Sequence, residues 1–152
     1  MTKPVFRRAR EEDLAAIVQL LMDDALGRTR EDASEPDAEV YLTAFAAIDS
    51  DPNQLLAVAA DGDEIIGTLQ LSFLPGLSRK GARRGQIEAV RVASSRRGAG
   101  IGREMIEWAI SQCRRSGCRF VQLTSDKRRA DAHRFYEGLG FVASHIGYKL
   151  AI

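Results

Sequence analysis

The stretch Arg96-Arg97-Gly98-Ala99-Gly100-Ile101-Gly102 lies between a strand-like run and a long helix-like run. Glycines let the backbone turn tightly and approach a ligand closely. The first turn of the helix that follows presents N–H groups without acceptors inside the helix, and such groups bind anions. Because two arginines add positive charge, the segment predicts a loop that holds a phosphate or pyrophosphate.

Other interpretations of this glycine loop differ in how well the residues fit them. A P-loop requires Gly-Lys-Ser/Thr, and Gly102 is instead followed by Arg103 and Glu104, which excludes it. A dinucleotide fingerprint requires a third glycine where this chain has Arg103, and the hairpin upstream favours antiparallel pairing, but this interpretation stays open. A plain tight turn also stays open, although it would not need three glycines and two arginines.

The hydrophobic pattern on both sides of the loop predicts alternating strands and helices. Apolar residues at helical spacing mark the helices, and short apolar runs mark the strands, with Asp61-Gly62-Asp63 as a hairpin signal. The order β-α-α-β-β-β-α-β-α-β predicts an α/β (α+β) fold that forms one domain over residues 1–152. The predicted elements are strand 4–8, helix 10–27, helix 36–48, strands 55–59, 65–73 and 86–92, helix 100–116, strand 118–124, helix 130–138 and strand 141–150.

Composition indicates the compartment in which the protein is expected to work. The chain has 152 residues, of which 45% are hydrophobic, and it lacks both an apolar run of about 18 residues and the apolar core of a signal peptide. Cys113 and Cys118 are its only cysteines and do not form a recognised metal-binding pattern. We therefore expect no membrane association, no metal, and reduced thiols in the cytoplasm.

Charge is divided unevenly along the chain although the net charge is only +1. Residues 1–76 contain 6 basic and 15 acidic residues, and residues 77–152 contain 16 basic and 6 acidic residues. This division predicts that different ligands approach the two halves, or simply that the halves attract each other. The basic half has no helix-turn-helix, zinc or RNA-binding signature, so we expect no nucleic-acid partner.

Two motifs together carry a family resemblance. Arg97, Gly100 and Gly102 fill the signature Gln/Arg-x-x-Gly-x-Gly/Ala, and a second segment reads Ala132-His133-Arg134-Phe135-Tyr136-Glu137-Gly138-Leu139-Gly140-Phe141. In this order they resemble the acetyl-CoA motif and the C-terminal motif of the GNAT N-acyltransferase superfamily, over nearly the whole chain. One departure is Arg129, which stands where many members have asparagine.

The resemblance implies an acetyl-CoA-dependent N-acetyltransferase that acts on a primary amine by direct attack in a ternary complex. It also implies a mixed, mostly antiparallel sheet flanked by helices, and a homodimer. Tyr136 occupies the place of the family's general acid, which protonates the leaving CoA thiolate. Main-chain groups of one strand and of the loop would hold the pantetheine arm and the pyrophosphate: Val90, Arg91, Val92, Arg97, Gly98, Ala99, Gly100, Ile101 and Gly102.

Three further assignments each have a simpler competitor. Lys127 and Arg129 could contact the CoA phosphates, or could belong to a solvated helix start. Glu88 is the candidate base, directly or through a water, because it precedes Val90 by two residues and a partly apolar cleft would make it a better proton acceptor; it could instead pair with an arginine. Tyr136 could be an aromatic side chain that only packs.

The sequence says least about the acceptor amine. An acidic stretch would attract a cationic amine such as a polyamine, an aminoglycoside-like compound or a basic peptide, or could be an ordinary solvated surface. A non-catalytic acyl-CoA sensor or regulatory protein with the same cleft is the alternative to an enzyme. The acidic residues are Asp23, Asp24, Glu31, Asp32, Glu35, Asp37 and Glu39.

Overall fold

The structure, a computed structural model, describes residues 2–23, 26–31 and 38–152, so Asp24, Asp32, Glu35 and Asp37 lie outside the described residues. The described chain forms two compact units, Met1–Gln122 and Leu123–Ile152. Its strands and helices, in chain order, are β1 (Val5–Arg8), α1 (Leu14–Met22), α2 (Glu39–Ser50), β2 (Gln54–Asp61), β3 (Glu64–Leu74), the four-residue turn α3 (Ser78–Gly81), β4 (Arg84–Val92), α4 (Ile101–Arg115), β5 (Phe120–Leu123) and α5 (Ala130–Gly138).

The strands form one sheet in the order β1-β2-β3-β4-β5. The pairs β1–β2, β2–β3 and β3–β4 are antiparallel. The predicted hairpin is present, since Asp61 pairs with Glu64 and Gly62 has a φ of +62° in the turn between them. The α/β (α+β) class and the mostly antiparallel sheet are thereby confirmed.

Helices cover both faces of this sheet within Met1–Gln122. Val58 of β2 is buried in a cluster with Leu14 and Ile17 of α1 and Phe45 of α2. Successive strand residues point to opposite faces, so Ala59 and its partner Gly67 face the other side, where α4 packs. The apolar spacing read from the sequence thus follows the buried sides of α1 and α4.

Two glycines allow α4 to lie close to the sheet. A Cβ atom on Gly67 would come within 2.6 Å of Met105 Sδ, and one on Gly85 would collide with Cys113 Sγ. Met105 and Cys113 are both buried. A larger residue at 67 or 85 would therefore force the side chain of Met105 or Cys113 to shift.

A β-bulge interrupts β4 just before the loop. Thr68 pairs with Arg91 and Gln70 pairs with Glu88, so Ala89 and Val90 together lie opposite the single residue Leu69. Ala89 has a φ of +53°, in the left-handed region that L-residues seldom adopt. The bulge changes the direction of β4 between Glu88 and Val92.

The last predicted strand, 141–150, is not formed. Residues 141–152 are outside the sheet, and Val142, Ile146, Tyr148 and Leu150 are each at least 79% exposed. The apolar residues that predicted a strand are present, but a strand also needs a neighbour for its backbone groups. No such neighbour is found among the described residues of this chain.

The helices offer no candidate for a membrane span: among the described residues, none is both long enough and apolar enough.

Candidate active site

The glycine loop joins β4 to α4 through a 3-10 turn at Ser94–Arg96. Gly98 and Gly100 have φ values of +83° and +82°, and Gly100 is the residue that caps the N-terminus of α4. The N–H of Arg97 donates to Ser94 O, and the N–H of Glu104 donates to Gly100 O. The backbone N–H groups between these two donors therefore lie at the positive end of a 15-residue helix, where an anion is stabilised.

Both arginines of the loop are hydrogen-bonded to acidic residues from the first half of the chain. Arg97 donates from Nη2 to the backbone O of Asp23 at 3.0 Å, and the Asp23 carboxylate accepts from the N–H of Ser94 at 3.1 Å. Arg96 bonds Asp61 and Glu64, each at 2.8 Å. These bonds to Asp61 and Glu64 raise the pKa of Arg96. The two arginines thus fix the loop to α1 and to the β2–β3 hairpin.

The end of β4 carries the predicted pantetheine-binding residues directly into this loop. Val90, Arg91 and Val92 are all half-buried, and Arg91 donates from Nη1 to Val90 O at 2.9 Å. An open groove of about 350 Å³ lies against Ala93 and Ser94, the residues that follow this segment. Its lining includes Gln19 and Asp23 from the α1 side and Ala93 and Ser94 from the β4 side.

Glu88 lies on the exposed side of β4, immediately before the bulge. Its Oε1 accepts a hydrogen bond from Gln86 Nε2 at 2.5 Å, and Gln86 Oε1 accepts one from Gln122 Nε2 at 2.9 Å. Glu88 is exposed, and the side chain that donates to it within Met1–Gln122 is the amide of Gln86. The sequence reasoning missed Gln86 and Gln122, although the two-residue spacing of Gln86 and Glu88 already placed both on one strand face.

Within Leu123–Ile152, Tyr136 is half-buried on α5 between two aromatic rings. Its ring centroid lies 5.1 Å from that of Phe135 and 5.9 Å from that of Phe141, in edge-on geometry. These two contacts hold the ring in a defined orientation. Packing of the ring does not conflict with a chemical role for the hydroxyl.

Three cationic residues precede α5, and the structure gives them different surroundings: Lys127, Arg128 and Arg129. Arg128 donates to both carboxylate oxygens of Asp126, and this hydrogen bond raises the pKa of Arg128. Arg129 caps α5 and is half-buried, whereas Lys127 is exposed. Arg128 is thereby tied to its own unit, while Lys127 extends toward solvent.

The described part of the acidic stretch is also engaged in local contacts. Glu31 accepts a hydrogen bond from the Tyr41 hydroxyl at 3.0 Å, and Asp23 holds the glycine loop. Glu39 is the first residue of α2, where its negative charge stabilises the helix N-terminus. At least part of this acidity therefore stabilises the fold itself.

Comparison with known proteins identifies the family. The sequence pattern of the Acetyltransferase (GNAT) family matches residues 14–141. The chain is 30% identical over 119 residues to an aminoalkylphosphonate N-acetyltransferase of Salmonella typhimurium, covering 78% of this chain and 77% of the relative. It is 39% identical over 79 residues to a glucosamine 6-phosphate N-acetyltransferase of Trypanosoma brucei brucei, about half of each chain (52%).

Solved structures agree in fold. A Bacillus halodurans protein described as a transcriptional regulator has a TM-score of 0.95 and 47% identity, covering 98% of this chain and 99% of its own. An acetyltransferase of Trypanosoma brucei has a TM-score of 0.78 and 29% identity, covering 98% and 99%. The loop at the start of α4, the family pattern that spans it and the named relatives agree, and this chain belongs to the GNAT acetyltransferase family, whose members transfer an acyl group from acetyl-CoA to an amine.

Proposed function

We propose that this chain acetylates a primary amine by direct attack on acetyl-CoA, with both substrates bound at once. The observation that carries the proposal is the left-handed backbone at Gly98 and Gly100, which leaves N–H groups of the loop at the exposed N-terminus of α4. Such a cradle suits the pyrophosphate of the nucleotide. Acetyl-CoA supplies the acyl group and a thiolate leaving group.

The residues proposed to bind acetyl-CoA follow one another along β4 and the glycine loop. Val90, Arg91 and Val92 offer main-chain groups to the pantetheine amides, and their place at the end of β4, directly before the glycine loop, supports this. The segment Arg97–Gly102 holds the pyrophosphate. Lys127 and Arg129 contact the remaining phosphates, with Lys127 the more exposed of the two.

Glu88 is the proposed base, acting directly or through a water. An ammonium has no free lone pair, so the amine must lose a proton before its nitrogen attacks the thioester carbon. The exposed Glu88 carboxylate is supported in this role by its position on β4 directly before the segment proposed to bind pantetheine. Tyr136 is the proposed acid, which protonates the departing thiolate from its hydroxyl.

We propose a small-molecule or peptide amine as acceptor, and a cationic one first. Support comes from the acidic stretch, of which Glu39 is exposed in the described residues. Two relatives carry names whose acceptors combine an amine with a phosphonate or a phosphate. A panel of matched cationic, neutral and phosphorylated amines therefore tests which acceptor the protein uses.

The experiment is acetyl-CoA-dependent thiol release, followed spectroscopically with this panel of amines. An N-acetyltransferase releases thiol only when a suitable amine is present, and the acetylated amine is found by mass spectrometry. Acetyl-CoA binding measured by calorimetry, without thiol release for any amine, would instead support the acyl-CoA sensor.

We also propose a cytoplasmic homodimer. The two cysteines are free thiols, as a reducing compartment requires. Self-association is supported by the apolar residues left exposed at alternate positions after α5, of which Ile146 and Tyr148 are 79% and 90% exposed. An exposed apolar row of this kind is what a second copy of the chain would cover.

A further inference from the structure

Three polar side chains form a linked series across β4 and β5. Gln122 donates to Gln86 at 2.9 Å, and Gln86 donates to Glu88 at 2.5 Å. Gln86 and Gln122 are both half-buried, whereas Glu88 is exposed. The series therefore runs from partly covered amides to a solvent-facing carboxylate.

The direction of these hydrogen bonds follows from chemistry alone. An ionised carboxylate can only accept, so the amide nitrogen of Gln86 must face Glu88. Its amide oxygen then faces Gln122, which must present its own nitrogen. Reversing either amide would set two acceptors or two donors against each other, so Gln122 selects the orientation in which Gln86 donates to Glu88.

Glu88 depends on this series because its other strand neighbours do not hold it. Gln70 is its register partner on β3, but its amide donates to Gln54 at 3.0 Å instead. Ala89 begins the bulge on the C-terminal side. The hydrogen bond from Gln86 thus fixes an exposed side chain that would otherwise sample several rotamers.

We propose that Gln86 is a positioning residue for the base, and that Gln122 acts through Gln86. This inference rests on the proposed role of Glu88. Gln86 occupies Oε1, which leaves Oε2 to take the proton from the acceptor nitrogen. That nitrogen forms the new N–C bond, the C–S bond breaks, and the sulfur leaves as thiolate.

The test is a double-mutant cycle of Gln86→Leu and Glu88→Gln, with kcat and the KM for acetyl-CoA measured for each variant. Gln86→Leu is expected to lower kcat about 10-fold or more with the KM for acetyl-CoA unchanged, because a misdirected base slows chemistry and not cofactor binding. In the Glu88→Gln background the same substitution is expected to change kcat less than 2-fold. Gln122→Leu is expected to lower kcat by a smaller factor than Gln86→Leu.

Gln54→Leu is the matched control, since Gln54 is a half-buried amide in the same sheet that bonds Gln70 and Ser72. It is expected to keep the wild-type kcat, and thermal unfolding verifies that every variant folds. If Glu88→Gln keeps the wild-type kcat, the base assignment is wrong and the positioning role falls with it. If Glu88→Gln lowers kcat but Gln86→Leu costs the same factor in both backgrounds, only the positioning role is overturned.

Discussion

Gly98 and Gly100 are required by their backbone angles. Their φ values of +83° and +82° lie where a Cβ atom costs about 1–2 kcal/mol, and no atom within 4 Å would obstruct a Cβ at Gly100. Strain, and not lack of space, therefore selects glycine at this position. The consequence is a loop whose exposed N–H groups are fixed before any ligand arrives.

Gly100→Ala is expected to raise the KM for acetyl-CoA about 5- to 10-fold, because relaxing the strain rotates the N–H groups away from the pyrophosphate. Gly62→Ala is the matched control: Gly62 has a φ of +62°, also without an obstructing atom, but lies in the β2–β3 turn. Both variants should lose about 1 kcal/mol of unfolding free energy, and only Gly100→Ala should change the KM. Equal KM values for the two variants would exclude the loop as the pyrophosphate site.

Tyr136→Phe removes one hydroxyl and keeps the ring contacts with Phe135 and Phe141. If the hydroxyl protonates the thiolate, kcat should fall about 10- to 100-fold while the KM for acetyl-CoA stays constant. Tyr148→Phe, which deletes an exposed hydroxyl on the C-terminal segment, should leave kcat unchanged. Wild-type turnover in Tyr136→Phe would refute the acid role.

Elements with strong local signals were predictable, and features set by partners distant in sequence were not. The hairpin at Gly62 and the junction at Gly100 follow from glycine chemistry, and α4 follows from its apolar spacing. The bulge at Ala89 carries no local signal, because alanine has no preference for a positive φ and only the pairing with β3 imposes it. The strand predicted over 141–150 failed for the same reason, since its formation depends on a partner and not on its own residues.

The junction of β1 and α1 is held by a charged pair that the sequence pattern did not reveal. Arg7 donates to both oxygens of the buried Asp13, at 2.8 and 3.1 Å, and the N–H of Arg10 adds a bond of 2.7 Å. Burial by itself raises the pKa of Asp13, but the hydrogen bonds from Arg7 and Arg10 outweigh it and leave the pKa below its ordinary value. Because the folded state has the lower pKa, this stabilisation is present above about pH 4 and is lost as the pH falls further.

Asp13→Asn is expected to lower the unfolding free energy at pH 7 by about 2–3 kcal/mol, since it leaves the Arg7 guanidinium without its counter-charge. Urea unfolding at pH 7 and at pH 3 measures this, and the gap between wild type and variant should narrow at the lower pH. Asp49→Asn, at an exposed site on α2, serves as the control and should unfold like the wild type at both values. A gap that stays the same at pH 3 would show that the charge of Asp13 contributes nothing.

The acidic and the basic half of the sequence are partly joined by ion pairs and hydrogen bonds between them. Arg96 and Arg97, from the basic half, bond Asp61, Glu64 and Asp23 from the acidic half, so part of the division joins the two halves of the sequence. The positive end of α4 is the place in Met1–Gln122 that we propose for the pyrophosphate. The near-neutral net charge therefore includes charges that are paired inside the fold.

The proposed self-association concerns the whole molecule, and the exposed C-terminal row makes it testable. Five large apolar side chains are exposed after α5: Val142, Ile146, Tyr148, Leu150 and Ile152. If each buried about 100 Å², two copies together would bury about 1,000 Å² of apolar area, near the lower size of a stable interface. The double variant Ile146→Asp/Tyr148→Asp is expected to convert a dimer to a monomer in light scattering at micromolar concentration. Val40→Asp, an equivalent change at an exposed valine on α2, should keep the dimer mass. A monomeric wild type would contradict the proposed dimer, because the exposed row would then not be an interface between copies of this chain.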